Sequence, residues 1–240
     1  MQNIQLAIVT PVYNEEAIIT DVLNKWTKEL QRLKIDYQIH VYDDGSKDNT
    51  LQILKRISCE NQNIIVHNKL NSGHGPTIIQ GYRENSVKKW IFQMDSDDEI
   101  APESFENLWA KRCEYDLLIG RRNRPHQPFT RKLISFVSRL VVRTFYGNKV
   151  YDVNSPYRLI RTERFRNIFH ALPDNMFAPN LVISGVASLK NMDVYEIPVK
   201  QHERTTGVTS IRSMALLKGA LKSLIQTIRF RFESDNKCRS

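Results

Sequence analysis

The stretch Trp90-Ile91-Phe92-Gln93-Met94-Asp95-Ser96-Asp97-Asp98 decides the reading of this chain. Five mostly apolar residues read as a buried strand, and three carboxylates follow within four positions. An apolar run of that length bounded by polar residues is the mark of a strand covered on both faces. Asp95 and Asp97 flank one small residue, Ser96. Carboxylates so spaced can hold a hard divalent cation such as Mg²⁺ or Mn²⁺, which takes further oxygens from a ligand diphosphate and from water. A solvated acidic turn ahead of a helix at Pro102 is the plain alternative for an isolated pair. What weighs against it here is company.

Upstream, three more polar clusters each follow a strand, the first and third of them apolar and the second alternating. Pro11-Val12-Tyr13-Asn14-Glu15 follows Leu6–Val9, Asp43-Asp44-Gly45-Ser46 follows Tyr37–Tyr42, and Asn71-Ser72-Gly73-His74-Gly75 follows Ile64–Val66. Helical spacing of Ala17, Ile18, Val22, Leu23 and Trp26, and of Leu51, Leu54 and Ile57, separates the strands. Asn14 and Asp48 read as helix caps, a further helix runs to about Lys88, and Asp116–Ile119 reads as a fifth strand. Such alternation predicts an α/β fold with a mostly parallel central sheet and helices on both faces. Ligands of such sheets bind beyond the carboxyl ends of the strands, where all four clusters fall. Asp43 and Asp44 can accept from a base N–H or from ribose hydroxyls. Tyr13 can stack on a base. Glu15 can bind ribose or favour a helix first turn. Gly73 and Gly75 allow close backbone approach but form no phosphate-loop motif, and His74 reads as a surface loop residue.

The second half is less regular. Thr130–Tyr146 reads as an amphipathic helix or helix pair, Val150–Ile160 as a hairpin, Ala178–Lys190 as a helix and Val194–Val199 as a strand. A long basic helix is expected from about Ile211 to Phe232. The expected organisation is one domain over 1–240. Within it, 1–125 carries the four polar clusters and is expected to be the main ligand-binding half, 126–209 is expected to complete the site for a second substrate, and 210–240 is expected to be a basic amphipathic helix and tail.

Charge is unevenly spread over the 240 residues. Arg121–Arg143 holds seven Lys/Arg and no acid, and Arg204–Phe232 holds six and no acid. The rest carries 22 bases and 26 acids, so the net charge of +9 resides in two segments. Ile211, Met214, Leu217, Leu221, Leu224, Ile225 and Ile228 recur near helical spacing beside Lys218, Lys222 and Arg229, a pattern suited to an anionic membrane interface. No nucleic-acid-binding module accompanies the charge, so nucleic acid is not an expected partner. The N-terminal apolar run is too short for a signal peptide and lacks a basic lead. No stretch reaches the ~18 apolar residues of a spanning helix. Cys59, Cys113 and Cys238 have neither metal-type spacing nor an even count. The expected location is therefore the cytoplasm, on the cytoplasmic face of the membrane.

The four clusters, read as TPVYNEE (10–16), VYDDGSKDNT (41–50), NSGHGPTIIQGY (71–82) and QMDSDD (93–98), resemble glycosyltransferase family 2 with the GT-A fold. LLIGRR (117–122), DVNSPYRLI (152–160) and EIPVKQHERTTGVTSI (196–211) are most similar to polyprenol-phosphate sugar synthases of the dolichol-phosphate mannose synthase type. The resemblance implies an inverting, metal-dependent transfer from a UDP- or GDP-linked sugar. It places Pro11, Tyr13, Glu15, Asp43, Asp44, Gly73 and Ser96 around the nucleotide and Asp95 and Asp97 on Mg²⁺ or Mn²⁺. Arg122, Arg131 and Arg204 would face an acceptor phosphate or the donor diphosphate, with Arg122 and Arg204 taking part in catalysis. Two departures bear on the acceptor: Ser210 stands where the family pattern often has Lys, and Glu99 where these synthases often have Gln. A polyprenyl phosphate is the expected acceptor. A glycan hydroxyl is the alternative, with Asp98 or Asp174 as base, and a degenerate nucleotide binder without turnover is the alternative of another class.

Overall fold

The computed structural model describes residues 4–123, 129–200 and 213–237. The chain runs β1 (Leu6–Val12), α1 (Ile19–Arg32), β2 (Tyr37–Asp43), α2 (Thr50–Glu60), β3 (Ile64–Asn68), α3 (His74–Glu84) and β4 (Trp90–Gln93). A short 3₁₀ turn, Pro102–Ser104, leads into α4 (Phe105–Lys111) and β5 (Leu117–Arg122). Then come α5 (Phe129–Tyr146), β6 (Arg158–Arg161), α6 (Thr162–Ala171), α7 (Pro179–Leu189), β7 (Val194–Val199) and α8 (Ser213–Lys237).

The strands form one seven-stranded sheet in the order β3-β2-β1-β4-β6-β5-β7. β1 to β4 pair in parallel, as do β5 and β7, and β6 is inserted antiparallel between β4 and β5. Both faces are covered, which is why Leu6–Val9 of β1 and Trp90–Phe92 of β4 are apolar without alternation. Leu6 and Ile8 enter the core under α1, α2 and α4, with Trp26, Phe92, Phe105 and Tyr157. Ala7 and Val9 enter the opposite core, under α3, α5, α6 and α7. Phe230 of α8 closes that second core from outside, and α8 packs along α5. Pro198 is tolerated because β7 is the last strand of the sheet, where a missing N–H breaks no central ladder.

The observed architecture is the expected α/β sheet with helices on both faces, with three differences in detail. Val150–Ile160 is not a hairpin: only Arg158–Arg161 is a strand, and it pairs with β4 and β5 rather than with its own neighbour. The hairpin is lost because the non-local strands offer complete ladders on both sides. α6 was not anticipated, although Phe165, Ile168, Phe169 and Leu172 bury one helical stripe. Asn14 caps no helix. It sits at φ 55 and ties to the next loop, accepting from the Lys47 amide at 2.7 Å while its own amide donates to Ser46 Oγ.

The order reverses at β1, flanked by β2 on one side and β4 on the other. At such a switch point the connections leave in opposite directions and open a crevice beyond the carboxyl ends. All four polar clusters of the first half lie on its rim.

Candidate functional site

The crevice holds a cavity of about 410 Å³ lined by Pro11, Tyr13, Glu15, Asp44 and Gly73 on one side and by Asp95, Ser96 and Asp97 on the other. Eight of the residues singled out in the sequence therefore meet here. Asp43 lies beneath the cavity, 1% exposed, with a buried Oδ2 that accepts no hydrogen bond.

The rim is stitched together by side chains. Glu15 donates its amide to Thr50 Oγ1 at 2.9 Å, which joins the β1–α1 loop to the start of α2. Asp44 joins the β2–α2 turn to the Gly73 loop. Its Oδ2 accepts from the Gly73 amide at 2.8 Å, and its Oδ1 accepts from the Ser72 amide at 2.9 Å and from Lys69 Nζ. Lys69 also donates to Ser72 Oγ at 2.6 Å and to Thr77 Oγ1 at 3.2 Å. Burial alone would raise the Asp44 carboxyl, but Lys69 and the two amides outweigh it and hold the group below its ordinary value. Asp44 thus commits both of its oxygens to the loop while still lining the cavity. Gly73, at φ 94, takes a conformation that other residues rarely adopt.

Asp95 follows β4, whose pairing with β1 extends through the Met94 amide to Val9 carbonyl at 3.2 Å. Asp95 Oδ1 is buried without a hydrogen bond, 3.6 Å from His74 Nε2. Asp97 Oδ1 accepts from the Glu99 amide at 3.2 Å. Among the described residues no three His, Cys, Asp or Glu side chains converge as a closed metal site. An open pair with an unsatisfied carboxylate oxygen on the cavity wall fits Mg²⁺ or Mn²⁺ that completes its shell with phosphate oxygens and water. Asp98, at φ 56, pairs with Lys25, and Asp174 pairs with Arg83 on the surface. Neither lines the crevice cavity or its neighbour described next, but Asp98 borders a small recess with Asp95, Asp97 and Arg122.

A second cavity of about 440 Å³ opens behind Gly73, His74 and Asp95, which form the wall common to both. Its far side carries Arg122, Asn154, Phe177 and Lys222. α3 reaches this wall because Gly75 lacks a side chain: a Cβ there would stand 2.2 Å from the Met176 carbonyl oxygen. Arg122 pairs with Asp152 through two parallel contacts of 2.9 Å. Burial works against both charges, yet the pairing wins: it holds the Asp152 carboxyl below its ordinary value and Arg122 above its own. A third recess, about 210 Å³, lies beyond Arg122 and contains Arg131, Ser135, Arg139 and Tyr151. There Arg139 stacks on the Tyr151 ring at 3.6 Å. Arg131 thus shares a recess with Arg122 but not the cavity that Asp95 borders. Arg204 lies outside the described residues. Asp152 and Lys222 were not anticipated as site residues. Asp152 opens DVNSPYR beside a buried arginine, a signal that could have been followed, whereas Lys222 is one base among many on α8.

A family model described as Glycosyl transferase family 2 matches residues 7–178. Among solved structures, mannosyl-3-phosphoglycerate synthase from Rubrobacter xylanophilus superposes with a TM-score of 0.71 at 12% identity, over 97% of this chain and 75% of that one. Glucosyl-3-phosphoglycerate synthase from Mycobacterium tuberculosis, in complex with Mn²⁺, UDP-glucose and phosphoglyceric acid, gives 0.66 at 14% identity, over 95% and 79%. S. aureus TarS 1–349, also solved with UDP-GlcNAc, gives 0.60 at 21% identity without it, over 81% of this chain. This chain spans 59% of that fragment's length. At such identities the likeness speaks for the fold.

Proposed function

The chain belongs to glycosyl transferase family 2, and from that premise we propose that it moves a sugar from a UDP- or GDP-linked donor to a polyprenyl phosphate at a membrane surface. The observation that carries the reading is Asp95 standing between two cavities, one rimmed by Tyr13, Glu15 and Asp97 and the other bearing Arg122 and Lys222. A donor whose diphosphate lies at Asp95 would place its sugar toward the second cavity.

Tyr13 stacks on the base, Glu15 takes a ribose hydroxyl, and the Gly73 loop, held by Asp44, lets the donor approach the backbone. Asp95 and Asp97 would hold Mg²⁺ or Mn²⁺, which when bound would offset charge on the departing nucleotide diphosphate. Apart from Asp95, no acidic residue lines the second cavity among the described residues. A phosphate acceptor needs no strong base, being already an anion at neutral pH. A sugar hydroxyl does need one. The work left to the protein is positioning of two anions and screening of their charge.

A lipid acceptor is favoured by the outer face of α5 and α8. Leu133, Phe136 and Leu140 on α5, and Leu221, Ile225 and Phe232 on α8, are all exposed. Lys132, Arg139, Lys218 and Arg229 lie among them in sequence. No helix among the described residues is long and apolar enough to cross a membrane, so these helices would lie in the interface. The test is a donor screen with Mg²⁺ or Mn²⁺ against prenyl phosphate and oligosaccharide acceptors side by side. A glycosyl-phosphoprenol product supports the reading, and product on the oligosaccharide alone overturns the acceptor.

A further inference from the structure

Among the described residues, Lys222 is a cation of the second cavity without an ion-pair partner. Arg122 is matched by Asp152, so that pair adds little net field. Lys222, on the opposite wall, makes no hydrogen bond or ion pair with a described residue. Its place is set by how α8 is held. Gln226, one turn on, accepts from the Phe177 amide at 2.9 Å and donates to the Asn175 carbonyl at 3.0 Å. Gly219, one turn back, gives way to the Phe177 ring, which would stand 2.4 Å from a Cβ there. Residues 219, 222 and 226 share one helical face, so the contacts that dock 219 and 226 on the 175–177 segment also turn Lys222 to the cavity. Thr227 and Phe230 pack inward, with Tyr146 Oη donating to the Thr227 carbonyl at 2.6 Å. Leu221, Ile225 and Phe232 face outward. Lys222 therefore stands at the seam between the exposed apolar stripe of α8 and the cavity that ends at Asp95. An amphiphile with an anionic head and an apolar tail matches that seam: head inward to the ammonium group, tail along the stripe.

We propose that Lys222 is an acceptor-binding residue that holds the phosphate of a prenyl phosphate in the second cavity. This rests on the function proposed above and names the contact within it. A lysine suits the task because its flexible stem carries a compact charge with three donors.

The test uses the full chain, a water-soluble short-chain prenyl phosphate, saturating donor and Mn²⁺, without vesicles, so that membrane docking does not enter. Initial rates are measured for wild type, Lys222→Met and Lys222→Arg. The expected result is an acceptor KM raised roughly 10–100-fold by Lys222→Met, as for a lost charge-assisted hydrogen bond. The donor KM should be unchanged, and Lys222→Arg should restore most of the acceptor affinity. Thermal unfolding of the variants checks that the fold is retained, which the exposed position favours. An unchanged acceptor KM in Lys222→Met, with the wild type active on the prenyl phosphate, overturns the Lys222 assignment and leaves the function standing. A wild type active only on a neutral glycan overturns both.

Discussion

Asp44→Ala is expected to damage the donor site by releasing the loop behind it, before any direct contact with a nucleotide is considered. In the native protein Asp44 is 4% exposed and accepts from Lys69 and from the amides of Ser72 and Gly73. Removing the carboxylate strands the Lys69 ammonium, whose side chain is 15% exposed. Breaking one partner out of a buried pair costs about 3–5 kcal/mol. Lys69 retains the Leu70 carbonyl and the Ser72 and Thr77 hydroxyls, which places the expectation toward the lower end, about 3 kcal/mol. Asp44→Ala with Lys69→Met removes both charges and should cost about 1–2 kcal/mol, so the coupling between the two positions is favourable by more than about 1 kcal/mol. Urea unfolding at pH 7 of the four proteins in the cycle measures it. The carboxyl is held below its ordinary value, so its contribution is intact at that pH and fades only as pH falls below about 4. Simple additivity of the two substitutions, or a loss under about 1 kcal/mol for Asp44→Ala, would refute the view that Asp44 is the post of the Gly73 loop.

Two further expectations concern pH and membranes. His40 is buried and pushed down to about 4, first by burial and then by His67, with which it shares a hydrogen bond of 3.1 Å, and by Lys88, while Glu84 pulls the other way. The neutral ring is the native form, so stability is full above about pH 6.5 and falls by about 3 kcal/mol as pH drops to about 4. Thermal unfolding across that window should show the loss and His40→Gln should flatten it; a slope unchanged in the variant contradicts the assignment. In flotation with anionic vesicles at low salt the protein should rise with the lipid, and Leu221→Glu with Ile225→Glu should weaken this at least tenfold. Equal flotation of the variant would remove the outer face of α8 from the interface.

Much of this site is legible in the sequence because each part follows its strand directly. Leu6–Val9 and Trp90–Phe92 are apolar without alternation, and burial of both sheet faces is the reason. Once the strands are parallel, the clusters at 11–15, 43–46, 71–75 and 95–98 must gather at one edge. What escapes the sequence is whatever depends on distant pairing. β6 takes its two partners from segments about 40 and 70 residues away, so local pattern cannot place it and a hairpin was the natural expectation. Asp44 carries acceptor atoms suited to a base, and only the fold shows that Lys69 and two amides also engage both of its oxygens. Arg122 and Arg131 both sit in the basic tract, but of the two only Arg122 also lines the cavity at Asp95. Lys222 is visible only once α8 is seen against the 175–177 segment.

The central claim is that Asp95 and Asp97 turn this crevice into a metal-assisted sugar-transfer site. The most direct measurement is nucleotide release and glycosylated product from a nucleotide sugar, with wild type and Asp97→Asn, titrating Mn²⁺. The wild type should turn over in a metal-dependent manner. Asp97→Asn should lose at least about 100-fold in kcat while its thermal unfolding is unchanged, the scale expected when a group stabilising the leaving charge is removed. Turnover by Asp97→Asn equal to the wild type, or a wild type that binds nucleotide yet transfers no sugar across the donor and acceptor panel, would contradict it.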